Sequence, residues 1–176
     1  KLKFNYYTDL LKAVRAATPS IHLKAFTAVE LTHLARIHKR DRKGQPGAGT
    51  MQGMLEDLIE AGLGSLPGGG AEVFDDRVHN EVFRGKIGGL EWINVHRTAH
   101  ELGLMSNATM LYGHVETLED RINHLVLLRD AQDEAIEQGH AGRFQTIIPL
   151  PFFPDGSELE HLPGPTGLDN LRFMAP

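Results

Sequence analysis

The segment that decides the fold reads Met105-Ser106-Asn107-Ala108-Thr109-Met110-Leu111-Tyr112-Gly113-His114-Val115-Glu116-Thr117. Its first part, up to Leu111, is apolar without a clean polar alternation, which is typical of a strand buried on both faces of a parallel sheet. A turn containing glycine follows. A long helical segment comes next, and its Leu118, Ile122 and Leu125 are predicted to fall on one face. The order is therefore strand, turn, helix.

The same order recurs on both sides of this segment. Buried strands are predicted at Ile21–Phe26, Leu63–Leu66, Met105–Leu111 and Phe144–Ile148, starting 42, 42 and 39 residues apart. Helices are predicted at Tyr6–Ala17, Val29–Ile37, Met51–Ala61, Asp75–Phe83, Leu90–Leu102 and Leu118–Gln138. Strands alternating with helices at this spacing predict an α/β fold of parallel βα units.

Two closures of such units are possible, an open doubly wound sheet or a (β/α) barrel. The chain lacks the G-x-G-x-x-G turn of a dinucleotide-binding sheet. Four units of about 40 residues make about half of an eight-unit barrel, which takes roughly 250 residues. We therefore expect residues 1–176 to be the central part of a longer barrel, with about four of its strands and with the first and last strands outside.

The amino-acid composition argues against several classes of function. The 18 basic and 23 acidic residues give a net charge of −5, which argues against a nucleic-acid partner. No apolar run approaches the roughly 18 residues of a membrane span, and no signal peptide is visible, so we expect a cytoplasmic protein without a membrane partner. The absence of cysteine removes thiolate nucleophiles and thiolate metal ligands within these residues.

Glutamates follow three of the predicted strands, where parallel βα folds bind ligands. Glu30 fits a capping box with Thr27, so helix capping competes with a ligand role. Glu72 follows Gly68-Gly69-Gly70, and glycines let a backbone approach a ligand closely. Glu116 could bind a ligand or stabilise the start of the next helix.

Several histidine, arginine and lysine side chains are further candidates for binding a ligand or a metal ion. His114 lies on a turn at the ligand face, where it could bind a substrate or cofactor. His96 and His100 are four residues apart on one helix, which suits either a metal site or, as we expect here, a pair on the helix surface. Arg84 and Lys86 could bind a carboxylate of a substrate, or they could be solvated charges.

Four segments at the strand ends carry a recognisable pattern. They are Lys24–Glu30, Leu63–Phe74, Asn107–Thr117 with its continuation Glu119-Asp120-Arg121, and Phe144–Leu150. They resemble the radical S-adenosylmethionine (SAM) enzymes of the menaquinone (futalosine) pathway, and the resemblance extends along nearly the whole chain. Within this group the resemblance is closest to the aminofutalosine-forming branch. Dehypoxanthine futalosine cyclase and the deazaflavin-forming synthase are alternatives.

The resemblance implies a partial or full TIM barrel of the radical SAM type, a [4Fe–4S] cluster, SAM and an electron donor. Reductive cleavage of SAM would give a 5′-deoxyadenosyl radical. In the aminofutalosine-forming branch this radical adds to the enolpyruvyl double bond of 3-[(1-carboxyvinyl)oxy]benzoate, the small-molecule substrate. Rearrangement and loss of carbon dioxide then give aminofutalosine.

The resemblance also assigns residues by their position after each strand. It implies cofactor binding by Glu72, at the ribose or the amino group of SAM, and by Thr109, Tyr112 and Glu116, along its adenosine. It implies substrate binding by Thr27, Glu30 and His114. No catalytic residue is assigned.

Two departures from the family pattern matter. The family's C-x-x-x-C-x-x-C cluster motif has no counterpart, because the chain has no cysteine. The cluster ligands are therefore expected outside this chain, and the chain alone is expected to be inactive. Phe152-Phe153-Pro154 stands where relatives would carry His before Pro, which leaves the substrate open. A non-radical (β/α) lyase and a binding-only fragment remain alternatives, and unpaired strand edges predict a homodimer or aggregation.

Overall fold

The computed structural model describes residues 2–175 as alternating helices and strands. The helices are α1 (Phe4–Ala17), α2 (Ala28–Asp41), α3 (Met51–Glu60), α4 (Asp76–Val82), α5 (Gly89–Glu101), α6 (Leu118–Glu137) and α7 (Gly167–Met174). The strands are β1 (Ser65–Leu66), β2 (Met105–Tyr112) and β3 (Phe144–Pro151). The α/β class is confirmed.

The strands form one parallel sheet in the order β1-β2-β3, as expected for βα units. β2 lies in the centre, with Ser65 opposite Met105 on one side and Thr109 opposite Ile148 on the other. Helices α5 and α6 both pack against β2. The sheet therefore brings the ends of its strands, and the turns that follow them, to one edge.

The observed starts of the helices agree well with the predicted starts, because the residues that cap a helix lie next to each other in the sequence. The Thr27 hydroxyl accepts a hydrogen bond from the Glu30 N–H, and the Glu30 carboxylate accepts one from the Thr27 N–H, which completes the predicted capping box. Asp75 caps α4 through the Val78 N–H. Thr117 caps α6 in a second capping box with Asp120. Helix α7, which we did not predict, starts in the same way at Thr166.

The prediction of a first strand over Ile21–Phe26 is wrong, because most of this segment is not paired as a strand. Only Lys24 bridges to Ser65, supported by a hydrogen bond from the Gly64 N–H to the Leu23 carbonyl at 2.8 Å. Phe26 has φ of 64°, a left-handed conformation that ends the extended backbone at once. The segment therefore lies beside β1 without becoming a strand.

The predicted burial of the last strand is also wrong. β3 extends three residues beyond the predicted Ile148, to Pro151. Ile147, Ile148 and Leu150 are 41%, 38% and 42% exposed. These side chains are uncovered because β3 is an edge strand of the described sheet.

The face of α6 that carries the predicted apolar residues is not the face that packs against the sheet. Leu118, Ile122 and Leu125 are exposed. The buried face instead carries His124 and Leu128, which point toward the sheet and α5. The spacing of the apolar residues predicted the helix, but it did not show which face of the helix packs against the sheet.

The histidine pair on α5 is buried, so the expectation of a surface pair is wrong. His96 stacks on Trp92 with ring centroids 3.8 Å apart, and burial holds its pKa well below the ordinary value. His100 lies 2.8 Å from the Ser106 hydroxyl through Nε2, and burial lowers its pKa to about 4. Helix α5 packs against α2, α3, α6 and β2, which leaves this face no access to water. Both rings are neutral core side chains.

Two kinds of feature, a metal-binding group of side chains and a membrane-spanning helix, are not found within residues 2–175. This part of the chain has no group of three or more His, Cys, Asp or Glu side chains arranged to hold a metal ion. It also has no helix with the length and apolar character needed to cross a membrane.

Candidate functional site

The candidate site lies where β1 and β2 end. We call the segment Pro67–Glu72 after β1 the glycine loop, and the segment Tyr112–Thr117 after β2 the β2 turn. The Leu111 N–H donates to the Glu72 carbonyl at 3.1 Å, which joins the end of the glycine loop to β2. The Phe152 N–H donates to the Tyr112 carbonyl at 2.8 Å, which joins the segment after β3 to the β2 turn.

The glycine loop is fixed by close packing against the neighbouring strand. A Cβ on Gly68 would lie 2.6 Å from the backbone carbon of Ala108, so no other residue fits there without a backbone shift. The Thr109 hydroxyl donates to the Gly68 carbonyl at 2.7 Å, and the Trp92 indole N–H donates to the Gly69 carbonyl at 3.2 Å. The loop therefore reaches Glu72 along one defined path.

We expect Gly68→Ala to lower the free energy of unfolding of the complete gene product by about 2–3 kcal/mol, because the added methyl group meets backbone that cannot move aside. Urea unfolding measures the change. The control is Gly167→Ala, since a Cβ on this first residue of α7 meets nothing within 4 Å. Equal stability of the two variants would contradict the packing described for the loop.

Glu72 is the predicted cofactor residue with the most available side chain. Its backbone has φ of 49°, a left-handed conformation that is uncommon for a residue other than glycine. Its Oε1 accepts a hydrogen bond from the Lys86 ammonium at 2.7 Å. The two side chains are 19% and 44% exposed, respectively. A carboxylate is thus held at the end of the loop by one flexible lysine.

Thr109 and Tyr112, the next two predicted cofactor residues, direct their hydroxyls into the protein. Thr109 donates to Gly68, as described above. The Tyr112 hydroxyl donates to Asn170 Oδ1 at 2.8 Å, and its ring stacks on Phe173 of α7 at 4.2 Å. Burial raises the pKa of Tyr112. In this structure both side chains position the backbone around them.

Glu116 stabilises the β2 turn through its own buried side chain. Its side chain is fully buried, and its carboxylate accepts hydrogen bonds from the Gly113 and His114 N–H groups, the latter at 2.9 Å. The Arg121 guanidinium lies 2.7 Å from Glu116 Oε1 and also faces the Tyr112 ring. A buried anion with these donors fixes the path of the turn.

His114 lies beneath the site surface, with its side chain 1% exposed. Its Nε2 donates to the Leu111 carbonyl at 3.1 Å, since that oxygen can only accept. Its Nδ1 lies 3.2 Å from Glu116 Oε2 but without the geometry of a hydrogen bond. Burial lowers the pKa of His114, and the Glu116 carboxylate opposes that shift. The rings of Phe83 and Phe152 meet His114 edge-on.

Thr27 and Glu30 lie beside the glycine loop. The methyl group of Thr27 would be 3.2 Å from a Cβ placed on Gly69. The Glu30 carboxylate accepts from both the N–H and the hydroxyl of Thr27, at 2.7 and 2.9 Å. The structure therefore brings these two residues to the same edge as Glu72, with Glu30 engaged in capping.

Sequence reasoning missed His124, which links the two halves of the site. Its Nδ1 accepts from the Phe74 N–H at 3.2 Å, and its Nε2 donates to the Thr109 carbonyl at 3.1 Å. The ring stacks on Phe74 at 4.1 Å, and burial lowers its pKa to about 4. Its partners are 50 and 15 residues away in the chain, so no local pattern could reveal them.

The buried histidines predict a loss of stability in mild acid. His100 and His124 have pKa values of about 4 in the folded chain, against an ordinary value of 6.5. Because only the unfolded chain binds these protons between pH 6.5 and 4, stability is highest above 6.5 and falls as the pH drops through this window. Each ring contributes up to about 3 kcal/mol to the fall.

Urea unfolding of the complete gene product at pH 7 and pH 5 measures this fall. We expect His124→Gln to be less stable than wild type at pH 7 and to lose less stability at pH 5. The matched control is His161→Gln, an exposed residue that should leave the difference unchanged. A wild-type protein equally stable at both pH values would contradict buried neutral rings.

The chain is similar to three kinds of curated protein along almost its whole length. It is 44% identical over 179 residues to aminodeoxyfutalosine synthase of Thermus thermophilus. It is 37% identical over 172 residues to 5-amino-6-(D-ribitylamino)uracil–L-tyrosine 4-hydroxyphenyl transferase of Archaeoglobus fulgidus. It is 38% identical over 174 residues to FO synthase of Mycobacterium tuberculosis.

These matches cover 99%, 97% and 96% of the chain, but only 44%, 46% and 18% of the respective relatives. The chain thus spans less than half the length of the curated relatives it matches. No protein-family model matches it. The resemblance read from the strand-end segments is confirmed by the extent of these identities. Over the segment it spans, the chain is similar to the group of related enzymes that includes aminodeoxyfutalosine synthase and FO synthase.

Proposed function

We propose that the complete gene product is an aminodeoxyfutalosine synthase. It transfers the 5′-deoxyadenosyl group of SAM to 3-[(1-carboxyvinyl)oxy]benzoate, with release of methionine and carbon dioxide, and gives aminofutalosine. The observation that carries this proposal is the 44% identity to a protein of that name over 99% of the chain. The four segments at the strand ends support the same radical SAM family.

We propose that this segment is the central part of a (β/α) barrel. The parallel sheet and the helices packed against it support the proposal. So do the uncovered side chains of β3, which a further strand and helix would bury. In such a barrel the glycine loop and the β2 turn lie at the carboxyl ends of the strands, where barrel enzymes bind their ligands.

The residues at this edge fit the amino-acid end of SAM. Glu72 offers a partly exposed carboxylate, and a carboxylate is the natural partner of the ligand's ammonium group. The glycine loop gives close access, since Gly69 has no side chain and Gly70 has a positive φ of 86°. We propose that Glu72 binds this ammonium group.

For Thr109, Tyr112 and Glu116 we propose an indirect part in cofactor binding. Their polar side-chain atoms bond to Gly68, Asn170 and the β2 turn. The backbone from Thr109 to Glu116, held in place by these bonds, would lie along the adenosine of SAM. The side chains thus shape the surface, and backbone groups make the contact.

On the substrate side we propose Thr27, Glu30 and His114. Thr27 and Glu30 are next to the glycine loop, and Thr27 already holds its hydroxyl against Glu30. His114 can reach a substrate only if the Phe152 ring moves off it. In the neutral ring Nε2 donates to Leu111, so Nδ1, which has no hydrogen-bond partner within the described residues, could accept a hydrogen bond from a substrate.

When bound, SAM and a [4Fe–4S] cluster with an electron donor would supply the 5′-deoxyadenosyl radical. The cluster ligands belong, in this proposal, to parts of the gene product outside these 176 residues, because the chain has no cysteine. The residues described here orient SAM through Glu72, fix the strand ends through Glu116 and His124, and shield the site with Phe83 and Phe152.

The test is product formation by the complete gene product. With reductant, SAM and 3-[(1-carboxyvinyl)oxy]benzoate under anaerobic conditions, we expect aminofutalosine by mass spectrometry. Dehypoxanthine futalosine and the FO synthase substrates serve as matched alternatives. Turnover of one of these alone would move the assignment to a related enzyme, and turnover without iron would favour a non-radical lyase.

A further inference from the structure

Trp92 joins helix α5 to the glycine loop. Its side chain is fully buried, and its indole N–H donates to the Gly69 carbonyl at 3.2 Å. Within residues 2–175, no backbone N–H donates to that carbonyl. A buried indole N–H needs an acceptor, and this bond supplies it while giving the loop carbonyl a donor. Trp92 is therefore the polar anchor of Gly69.

The neighbouring parts of the loop are anchored by other elements. Hydrogen bonds from β2 hold the carbonyls of Gly68 and Glu72, and a hydrogen bond to α6 holds the Phe74 N–H. Glycine has no side chain, so Gly69 can be held only through its backbone groups. Glu72, with its left-handed φ of 49°, lies between the Gly69 and Phe74 anchors. Such a backbone conformation persists only where surrounding contacts hold it.

Three rings set the orientation of the indole. His96, one turn further along α5, stacks on it with ring centroids 3.8 Å apart. Phe74 lies 5.3 Å away at a tilt of 47°, and Phe144 of β3 lies 6.0 Å away with its ring nearly parallel. Close packing of this kind holds a side chain in one rotamer, so the N–H keeps its direction toward Gly69. Phe74 also stacks on His124, so one group of rings connects the anchors on both sides of the loop.

We propose that Trp92 is a positioning residue for the ligand site. Its indole N–H fixes the Gly69 carbonyl, and thereby the path of the glycine loop to Glu72, in the conformation that receives SAM. Because Trp92 is fully buried, it acts through the loop and makes no contact with the ligand. This inference rests on the proposed function, which supplies the ligand.

The test compares two substitutions within this group of rings in the complete gene product. Trp92→Phe keeps an aromatic ring but removes the N–H, whereas Phe144→Leu disturbs the same rings and removes no hydrogen bond to the loop. We expect both variants to unfold at lower urea concentration than wild type. Only Trp92→Phe should bind S-adenosylhomocysteine more weakly, by about five-fold or more in calorimetric titration. The amides of residues 69–72 should also exchange with deuterium about ten-fold faster in Trp92→Phe alone.

The outcomes separate this inference from the proposed function. If wild type does not bind S-adenosylhomocysteine, the proposed function fails and the inference fails with it. If wild type binds but Trp92→Phe and Phe144→Leu weaken binding equally, the rings have a structural role only, and the inference is overturned while the proposed function stands. Unchanged binding and unchanged amide exchange in Trp92→Phe overturn it in the same way.

A measurement on wild type covers the case in which Trp92→Phe does not fold. Trp92 is the one tryptophan of these 176 residues, and selective labelling with nitrogen-15 makes its indole N–H observable by NMR. We expect S-adenosylhomocysteine to slow the exchange of this proton with solvent, because a ligand that binds the closed loop lowers the population of open forms. An exchange rate unaffected by the bound ligand would contradict the coupling between the indole and the site.

Discussion

Replacing Glu72 by Gln is expected to weaken S-adenosylhomocysteine binding to the complete gene product by about thirty-fold or more. The reason is the loss of one charge-assisted contact to an ammonium in a partly buried site, which costs about 2 kcal/mol or more. Gln keeps the size and the backbone requirements of Glu72, so the left-handed φ of 49° is strained equally in both proteins. Calorimetric titration measures the change.

Two controls isolate the charge of Glu72. The affinity for 5′-methylthioadenosine, which has no ammonium, should be the same in wild type and Glu72→Gln. Glu60→Gln removes an exposed carboxylate at the end of α3 and should leave both affinities unchanged. An unchanged affinity of Glu72→Gln for S-adenosylhomocysteine would remove Glu72 from the proposed site.

The isolated 176-residue segment is expected to associate into dimers or larger species at about 10–100 µM. β3 presents an unpaired edge with Ile148 and Leu150 uncovered, and an apolar edge of this length is a template for pairing with another chain. Sedimentation velocity measures the outcome.

A charge on the edge strand should reverse this association. Ile148→Lys is expected to shift the isolated segment toward monomer, because a lysine on an edge strand opposes pairing. Leu90→Lys, at an exposed residue on α5, is the matched control and should have no effect. A segment that sediments as a monomer at these concentrations would argue against the open edge.

Features set by neighbouring residues were predictable from the sequence. The capping boxes at Thr27 and Thr117 each need two side chains three residues apart, so the pattern is complete within one turn of helix. The closely packed Gly68 lies in a triplet of glycines that the sequence shows directly. Parallel strand order followed from the alternation of strands and helices.

Features set by distant residues were not predictable. The Tyr112 hydroxyl meets Asn170, which lies 58 residues further along the chain. His96 is buried because one face of α5 packs against neighbouring helices and β2, and its i, i+4 relation to His100 is the same on a surface helix. The exposure of Ile148 depends on whether another element packs beside β3. The apolar residues of the strand do not show this.

The central claim is that this edge of the sheet binds SAM through Glu72. A crystal structure of the complete gene product with S-adenosylhomocysteine tests it most directly. The account predicts the ligand's amino group within hydrogen-bond distance of Glu72 and its adenosine along the backbone from Thr109 to Glu116. A ligand bound elsewhere in the protein, with no contact to Glu72, would contradict the account.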